Sequence, residues 1–248
     1  MPGRIAQYLD GMTETEAAQP TETSAAALMG GLPVVERFHS LQGEGVHAGR
    51  SAFFIRLGGC GVGCQWCDTK HSWPEAAHPR CSLSSLGLEA AKAVAAGAAF
   101  VVVTGGEPLH HELTELCRTL RQQICRINGE AAPLHLETSG VDALTGRFDW
   151  ITLSPKPHKP PTDELLAACD ELKVIVHGPQ DLDFAEQMAR AAADLRGLGR
   201  GFTSRGGPTL LLQPGHKCEL GQQLAIDHVK ANSRWRLSLQ THKVLGVR

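Results

Sequence analysis

Short apolar runs and longer amphipathic segments alternate along the chain from Leu32 onward. The short runs are rich in β-branched residues, which favour strands. We predict strands over Val34–His39, Ala52–Leu57, Phe100–Val103, Leu134–Glu137, Trp150–Leu153, Leu172–Val176, Thr209–Leu212 and Arg236–Leu239. The longer segments are rich in alanine and leucine at helical spacing. They predict helices over Ser84–Ala98, His110–Arg126, Thr162–Ala168, Asp181–Leu198 and Glu219–Ala231, with Ser84 and Asp181 as N-caps.

This alternation predicts an α/β fold with a mostly parallel sheet, either open or curled toward a barrel. The run VVVTGG from Val101 to Gly106 has no polar alternation, which suits a strand buried on both faces of such a sheet. Ligands of these folds bind at the carboxyl ends of the strands. Several unusual motifs of this chain follow predicted strands, so we expect its functional site at that edge.

The first 33 residues differ from the rest, because they are rich in alanine, threonine, glutamate and glycine and lack a sustained period. We predict a disordered N-terminal extension over residues 1–33 and one core domain over residues 34–248. The extension lacks the basic start and apolar centre of a signal peptide, and no apolar run is long enough to span a membrane. We therefore expect a cytoplasmic protein without a membrane partner.

The composition changes this picture little. Hydrophobic residues make up 42% and charged residues 20% of the 248 residues, which is typical of globular domains. The formal net charge of −2 gives no support to direct nucleic-acid binding. The eight cysteines are more informative, because closely spaced cysteines in a reducing compartment usually hold a metal or carry redox chemistry.

Three of these cysteines form one loop, Cys60-x3-Cys64-x2-Cys67, directly after a predicted strand. Structural zinc normally takes four ligands, and Cys81 or His71 could complete such a set. A four-iron cluster fits the spacing better, since three thiolates leave one iron open to a small molecule that binds through nitrogen and oxygen. The remaining cysteines are predicted to be buried or unreactive thiols: Cys81, Cys117, Cys125, Cys169 and Cys218.

The loop CGVGCQWC resembles the cluster loop of radical S-adenosylmethionine (SAM) enzymes. In that superfamily the amino and carboxylate groups of SAM chelate the open iron, and reductive cleavage of SAM yields a 5′-deoxyadenosyl radical. The aromatic residue before the third cysteine packs near the adenine, and Trp66 holds that position. The segment Thr104–Pro108, TGGEP, is similar to the motif that receives the SAM ammonium group.

Further motifs resemble the 7-carboxy-7-deazaguanine synthase family within this superfamily. From about Val34 to the C-terminus they are LQGEG, FFIRLGGC, WCDTKHSW, ETSG, SPK and QTHK. The resemblance implies ring contraction of 6-carboxy-5,6,7,8-tetrahydropterin to 7-carboxy-7-deazaguanine with loss of ammonia, a carbon–nitrogen lyase reaction. The product feeds the biosynthesis of queuosine, a tRNA modification. The family also implies a partial barrel of about six β/α units.

The resemblance assigns roles by position. The 4Fe–4S cluster is assigned to Cys60, Cys64 and Cys67, and Mg²⁺ to Thr69. The SAM contacts are Trp66, Gly106, Glu107, Glu137, Ser139, Ser154, Pro155 and Lys156. The substrate contacts are Leu41, Gln42, Gly43, Glu44, Arg56 and Thr104, with the Arg56 guanidinium pairing with the substrate carboxylate. No role is assigned to His71, His158, Gln213, His242 or Lys243, and His110-His111 is predicted to be a surface pair at a helix start.

The family also implies two partners, an electron donor such as flavodoxin or ferredoxin and a second copy of the chain in a homodimer. Two alternatives remain at this point. A glycyl-radical activating enzyme shares the cluster spacing but acts on a protein backbone. A noncatalytic zinc- or cluster-binding protein would also need the three cysteines, but it would leave the downstream motifs unexplained.

Overall fold

The computed structural model describes residues 31–197 and 206–247. Its strands are β1 (Leu32–Leu41), β2 (Ser51–Leu57), β3 (Arg80–Cys81), β4 (Phe100–Gly105), β5 (Leu134–Thr138), β6 (Trp150–Leu153), β7 (Glu171–Val176), β8 (Thr209–Pro214) and β9 (Trp235–Leu237). They form one sheet in the order β3-β1-β2-β4-β5-β6-β7-β8-β9. β1 is antiparallel to both β2 and β3, and every pairing from β2 to β9 is parallel.

The α-helices of the described residues are α1 (Leu83–Ala95), α2 (Thr114–Asn128), α3 (Asp163–Ala168), α4 (Pro179–Leu195), α5 (Glu219–Ala231) and α6 (Thr241–Leu245). Short 3₁₀ helices cover Lys70–Ser72, Glu75–Ala77 and Pro108–His110. Helices α1 to α5 connect successive parallel strands, whereas the connection from β5 to β6 has no helix. The predicted fold class, a partial and mostly parallel α/β barrel, is confirmed.

The apolar core lies between the sheet and the helices. Alternate residues of β2, including Phe53, Ile55 and Leu57, pack with helix residues such as Leu116 and Leu120 in this core. The side chains between them, such as Phe54, join a smaller cluster with Phe100. The sheet therefore has one face covered by helices, while the other face lines an interior that also holds buried polar and charged side chains.

The two sides of the partial barrel are joined by the segments that follow β1 and β9. The backbone N–H and the hydroxyl of Thr241 both donate to the carbonyl oxygen of Gly43, at 2.9 Å each. The backbone N–H of Gly45 donates to Ser238 Oγ at 3.0 Å. Since β1 and β9 lie near opposite ends of the sheet order, these contacts show that the sheet curls toward closure.

The eight predicted strands are all present, and the differences concern short elements and helix ends. β3 and α6 have too few residues to produce a pattern and were not predicted. Helix α2 begins at Thr114 rather than at His110, because Pro108–His110 forms a separate 3₁₀ turn. Most of the predicted extension, residues 1–30, lies outside the described residues, and β1 already begins at Leu32.

The predicted N-cap of α1 was wrong by two residues, and that of α4 was wrong by three. Ser82 caps α1, and its hydroxyl accepts from the backbone N–H of Ser85. Gly178 is the N-cap of α4, while Asp181 lies in the first turn and accepts from the backbone N–H groups of His177 and Gly178. An acidic side chain in the first turn of a helix accepts hydrogen bonds from otherwise unpaired backbone N–H groups, as an N-cap does. The sequence pattern therefore indicated the helix start correctly but placed the N-cap residue too late in the chain.

Candidate active site

The three-cysteine loop lies at the carboxyl end of β2. Cys60, Cys64 and Cys67 line one cavity of about 240 Å³. The loop is tied to the following segment by backbone hydrogen bonds, from Gly59 N to Ser72 O at 2.8 Å and from Cys60 N to Trp73 O at 3.2 Å. Three thiols facing one space are the donor set that an iron–sulfur cluster uses.

The glycine turn after β4 forms the base of this loop. A Cβ at Gly106 would lie 2.5 Å from the carbonyl oxygen of Gly59 and 2.7 Å from Cys60 Cβ, so only glycine allows this approach. The backbone N–H of Glu107 also donates to the Gly59 carbonyl at 2.9 Å. The predicted SAM motif and the cysteine loop are therefore in direct contact, and both Gly105 and Gly106 line the cavity.

The Glu107 carboxylate does not line that cavity. Its side chain is only 1% exposed and accepts hydrogen bonds from the backbone N–H of Ser139 at 2.8 Å and of Leu109 at 3.1 Å. It also accepts from Thr138 Oγ1 at 2.6 Å and from the hydroxyl of Ser139. The Glu107 carboxylate therefore lies behind Ser139, with its oxygens occupied by donors from Leu109, Thr138 and Ser139.

Further predicted SAM residues lie around the same cavity. Ser139, Ser154, Lys156 and Trp66 all line it, whereas Pro155 is buried outside it. The Lys156 ammonium donates to the carbonyl oxygen and hydroxyl of Ser154 at 2.6 and 2.8 Å, and burial lowers its pKa.

Trp66 provides an aromatic surface at the rim of this cavity and is 43% exposed. Its indole ring lies 5.1 Å from the ring of His177 and 5.6 Å from that of His158. His158 also contacts the cysteine loop, through the carbonyl oxygen of Val62 at 3.2 Å. A half-exposed aromatic ring at the edge of a polar cavity is suited to stacking against a planar ligand.

A second cavity of about 440 Å³ contains most of the predicted substrate and Mg²⁺ residues. Its lining includes Leu41, Gln42, Gly43, Glu44, Arg56 and Thr69. Glu44, Glu137 and Gln240 are among the residues that line both cavities. The Gln42 amide donates to Glu137 at 2.8 Å, and this contact connects the loop after β1 to the end of β5. The two cavities are thus neighbours that share a polar wall.

The centre of this wall is a buried ion pair between Glu44 and Lys173. Gln240 also donates to the Glu44 carboxylate, at 2.7 Å. Although burial opposes ionisation of this carboxyl, the cation and the amide hydrogen bonds outweigh it and lower the pKa of Glu44 to about 2. The neighbouring carboxylates of Glu44, Glu137 and Glu171 raise the pKa of Lys173 despite its burial. The pair is therefore charged at neutral pH.

Glu171 holds the loop after β1 in place through a hydrogen bond and a close contact. Its carboxylate accepts from the backbone N–H of Val46 at 2.9 Å, and burial raises its pKa. A Cβ at Gly45, whose φ is +71°, would lie 2.2 Å from Glu171 Oε1. The final glycine of LQGEG is therefore required both by its backbone conformation and by this close approach.

The remaining predicted substrate and metal residues have defined partners. Arg56 Nε donates to Glu36 at 2.8 Å, on the adjacent strand. Thr69 Oγ1 lies 3.5 Å from the sulfur of Cys67, and the neighbouring Asp68 pairs with Lys243 at 2.6 Å. Thr104 is buried at the end of β4 and is not among the residues lining either cavity.

The unassigned residues divide into two groups. Gln213 lines the first cavity, and His242 and Lys243 line the second, whereas His71 is exposed and lines neither. Sequence reasoning missed Lys173 and Gln240 as parts of the site. Lys173 interrupts the apolar run of β7, and a charged residue within a buried strand was the signal that could have identified it.

The thiols outside the loop are in different surroundings. Burial raises the pKa of Cys117 to about 11 and that of Cys169 to about 12, so both are protonated as predicted for buried thiols. Cys125 is exposed. Among the described residues, no group of three histidine, cysteine or acidic side chains is gathered closely enough to hold a single metal ion. None of the described helices is both long and apolar enough to cross a membrane.

Enzymes of the radical SAM class combine a partial parallel barrel with a three-cysteine loop at its strand ends, and this chain has both features. The structure is similar to the crystal structure of QueE from Escherichia coli, with a TM-score of 0.66 and 29% identity, over 85% of this chain and 94% of that one. The searched protein-family models give no match.

Curated relatives identify the family. The chain is 54% identical to the 7-carboxy-7-deazaguanine synthase of Prochlorococcus marinus and 49% identical to that of Synechocystis. These alignments cover 87% of this chain and 98% and 93% of the relatives. The Escherichia coli enzyme is 32% identical over 87% of this chain. The chain therefore belongs to the 7-carboxy-7-deazaguanine synthase family, and the glycyl-radical and noncatalytic alternatives are not supported.

Proposed function

We propose that this chain contracts the ring of 6-carboxy-5,6,7,8-tetrahydropterin to give 7-carboxy-7-deazaguanine with release of ammonia, in queuosine biosynthesis. One observation carries this proposal beyond family membership. The cavity lined by the three cysteines and the cavity lined by the LQGE loop and Arg56 share the wall of Glu44, Glu137 and Gln240. A radical generated in one space can act on a substrate held in the next only if the two adjoin.

The proposed ligands of the 4Fe–4S cluster are Cys60, Cys64 and Cys67. Burial raises the pKa values of Cys60 and Cys64, so iron must displace their protons when it binds. The close approach of Gly106 to Cys60 lets the loop pack directly on the turn after β4. When bound, the cluster and SAM supply the one-electron chemistry that removes and returns a hydrogen atom at C6 of the substrate.

The proposed SAM site uses the other residues of the first cavity. Trp66 offers a ring face for the adenine, and the hydroxyl groups of Ser139 and Ser154 offer polar contacts. Glu107 acts indirectly, because its carboxylate fixes the backbone and hydroxyl of Ser139. Lys156 keeps Ser154 in place through two hydrogen bonds.

The proposed substrate site is the second cavity. The pterin has an amino-pyrimidinone edge with several donors, and the carboxylates of Glu44 and Glu137 can accept from it. Glu36 holds Arg56 through Nε, so the substrate carboxylate would bind the terminal nitrogens of the guanidinium. Thr104 would support Arg56 from the adjacent strand, since the two residues are paired in the β2–β4 register.

We propose Thr69 as the protein ligand of Mg²⁺. Its hydroxyl lines the substrate cavity beside Cys67, and Mg²⁺ commonly uses few protein oxygens together with substrate and water. Asp68 is the stronger ligand by charge, but it is paired with Lys243. We expect Thr69→Ala to weaken activation by Mg²⁺ and Thr69→Ser to retain it. An Asp68→Asn variant with the larger loss would reassign the ligand.

Residues 34–248 are proposed as one catalytic unit that works in a reducing cytoplasm, where the cysteines outside the cluster loop remain thiols. A small electron carrier such as flavodoxin or ferredoxin is the proposed reductant. A homodimer is proposed from the family, and the exposed apolar side chains of Leu239, Val244 and Leu245 offer a surface for it. Sedimentation of the purified protein tests this assembly.

The decisive experiment uses anaerobically reconstituted protein with SAM, a reductant, Mg²⁺ and the carboxytetrahydropterin. Mass spectrometry should detect 7-carboxy-7-deazaguanine and ammonia. Cys64→Ala should abolish the product, whereas Cys125→Ala, which changes an exposed cysteine outside the loop, should leave it unchanged. Cluster-loaded protein that binds SAM but releases no deazaguanine would overturn the proposed reaction.

A further inference from the structure

Two consecutive histidines contact the cysteine loop on either side of Cys60. His111 Nε2 lies 2.7 Å from the carbonyl oxygen of Gly58, and His110 Nε2 lies 2.7 Å from the backbone nitrogen of Gly61. A carbonyl can only accept and a backbone N–H can only donate. Therefore Nε2 of His111 carries a proton, whereas Nε2 of His110 accepts with its lone pair. The neighbouring rings hold opposite tautomers around one cysteine.

Asp142 determines the tautomer of His110. Its carboxylate is paired with Nδ1 of His110, so the imidazole proton stays on Nδ1 and the Nε2 lone pair remains available to Gly61. Asp142 lies in the connection between β5 and β6 that has no helix. This arrangement, in which a carboxylate orients a histidine that in turn orients a third group, is also common around metal centres.

The histidine rings limit the space next to two glycines of the loop. A Cβ at Gly61 would lie 3.2 Å from His110 Nε2, and one at Gly59 would lie 3.4 Å from His111 Nε2. The contact at Gly61 is tight for a Cβ, so glycine there favours the approach of the His110 ring, whereas 3.4 Å at Gly59 is an ordinary contact. His110 is exposed and His111 partly buried, as predicted for a surface pair, and their hydrogen bonds connect them to the loop.

We propose that His110, oriented by Asp142, is a positioning residue that fixes the Gly61 peptide and thereby the direction of the Cys60 thiolate. The inference rests on the proposed cluster. By accepting the Gly61 N–H, His110 also keeps that donor away from the cluster sulfurs. Hydrogen bonds to those sulfurs help to set the reduction potential of an iron–sulfur cluster. Loss of His110 should therefore change both cluster retention and potential.

The test compares anaerobically reconstituted protein with three variants. His110→Phe keeps a ring but has no acceptor, His110→Gln places an amide oxygen near the position of Nε2, and Asp142→Ala removes the partner that fixes the tautomer. His39→Gln, an exposed histidine on β1, is the matched control. The measurements are iron per chain, the electron paramagnetic resonance spectrum and midpoint potential of the cluster, and its half-life in air.

We expect His110→Phe to shift the spectrum and potential and to shorten the half-life about fivefold, the factor that corresponds to one hydrogen bond. His110→Gln should restore most of the wild-type values, and Asp142→Ala should lie between the two. Thermal melting of the metal-free proteins separates these effects from a loss of folding.

Two results would overturn the inference. One is a His110→Phe cluster with wild-type spectrum, potential and half-life. The other is a His110→Gln protein that melts like wild type and yet loses its cluster as His110→Phe does, since the acceptor would then be irrelevant. Wild-type protein that takes up no cluster would instead refute the proposed function, so the two failures are distinguishable.

Discussion

Glu44 and Lys173 form an ion pair inside the partial barrel, between the loop after β1 and the strand β7. Because Lys173 also lies near Glu137 and Glu171, this one cation stabilises a group of carboxylates that would otherwise repel each other. The pair keeps Glu44 ionised and able to accept hydrogen bonds in the second cavity. Four predictions follow from this site and its surroundings.

The first prediction is that Lys173→Met destabilises the fold by about 3 to 5 kcal/mol, because it leaves the Glu44 carboxylate buried without a cation. The double variant Lys173→Met/Glu44→Gln should recover part of this loss, since it removes the unpaired charge. Anaerobic urea unfolding measures both values. Lys230→Met, on the exposed surface of α5, is the control. Equal losses of stability in Lys173→Met and Lys230→Met would contradict the inference that the buried, unpaired Glu44 carboxylate causes the loss.

The second prediction concerns His135, whose ring stacks on Phe100 with a centroid distance of 4.1 Å. Burial, His47 and Arg50 lower its pKa from 6.5 to about 3, with Asp149 acting weakly in the opposite direction. The unfolded chain therefore binds a proton that the folded chain does not, and stability should fall as pH decreases from 6.5 toward 3. The loss is at most about 1.4 kcal/mol per pH unit.

Urea unfolding between pH 7 and 5 avoids the Glu44 carboxylate, whose lowered pKa removes stability only between about pH 4.5 and 2. Burial also lowers the pKa of the neighbouring His47, so both rings contribute to the wild-type slope in this window. His135→Phe keeps the stacking and should show a shallower pH dependence than wild type. A wild-type slope in His135→Phe would show that the ring does not titrate as inferred.

The third prediction is that Gly106→Ala prevents cluster loading. The new Cβ would overlap the Gly59 carbonyl and Cys60 Cβ, and it would push the cysteine loop away from the turn after β4. Iron per chain after reconstitution should fall sharply. Gly129→Ala is the control without overlap, since Gly129 lies at the end of α2 with no neighbour near its Cβ position and only its φ of +76° opposes the change. It should cost about 1 kcal/mol of stability and load normally.

The fourth prediction is that Glu107→Gln weakens SAM binding about tenfold without direct contact. A neutral amide presents one acceptor and one N–H₂ group to a set of four donors, so Ser139 loses a partner and shifts. Titration of the reduced cluster with SAM, followed by electron paramagnetic resonance, gives the affinity. Glu130→Gln, an exposed residue after α2, is the control. An unchanged affinity would mean that Ser139 is held in place by other contacts.

The sequence predicted the strands well because most are apolar runs ended by glycine or a polar residue, such as Ala52–Leu57 before Gly58. It predicted the cysteine loop because its spacing is local. β3 was missed because two residues, Arg80 and Cys81, carry no period and depend on pairing with β1. The start of α2 was misplaced because His110 and His111 turn back to the loop instead of continuing a helix.

The site was predictable only where it consists of short motifs. Gln42 and Glu44 belong to one motif, but Lys173 lies 129 residues from Glu44 and has no motif of its own. The sequence also did not predict that hydrogen bonds occupy the Glu107 carboxylate, since the donors Thr138 and Ser139 come from the end of the next strand. Contacts between distant elements depend on how the sheet curls, which local patterns do not encode.

The contacts between the loop at Gly43 and the segment at Thr241 have a consequence for how the chain folds during its own synthesis. Gln240 and Glu44 are 196 residues apart, so the wall they build can form only after residue 240 has been synthesised. A chain still emerging from the ribosome already has its cysteines but lacks the side of the cavity that shields them. The proposed cluster would therefore lack this wall if it were inserted before residue 240 had been added.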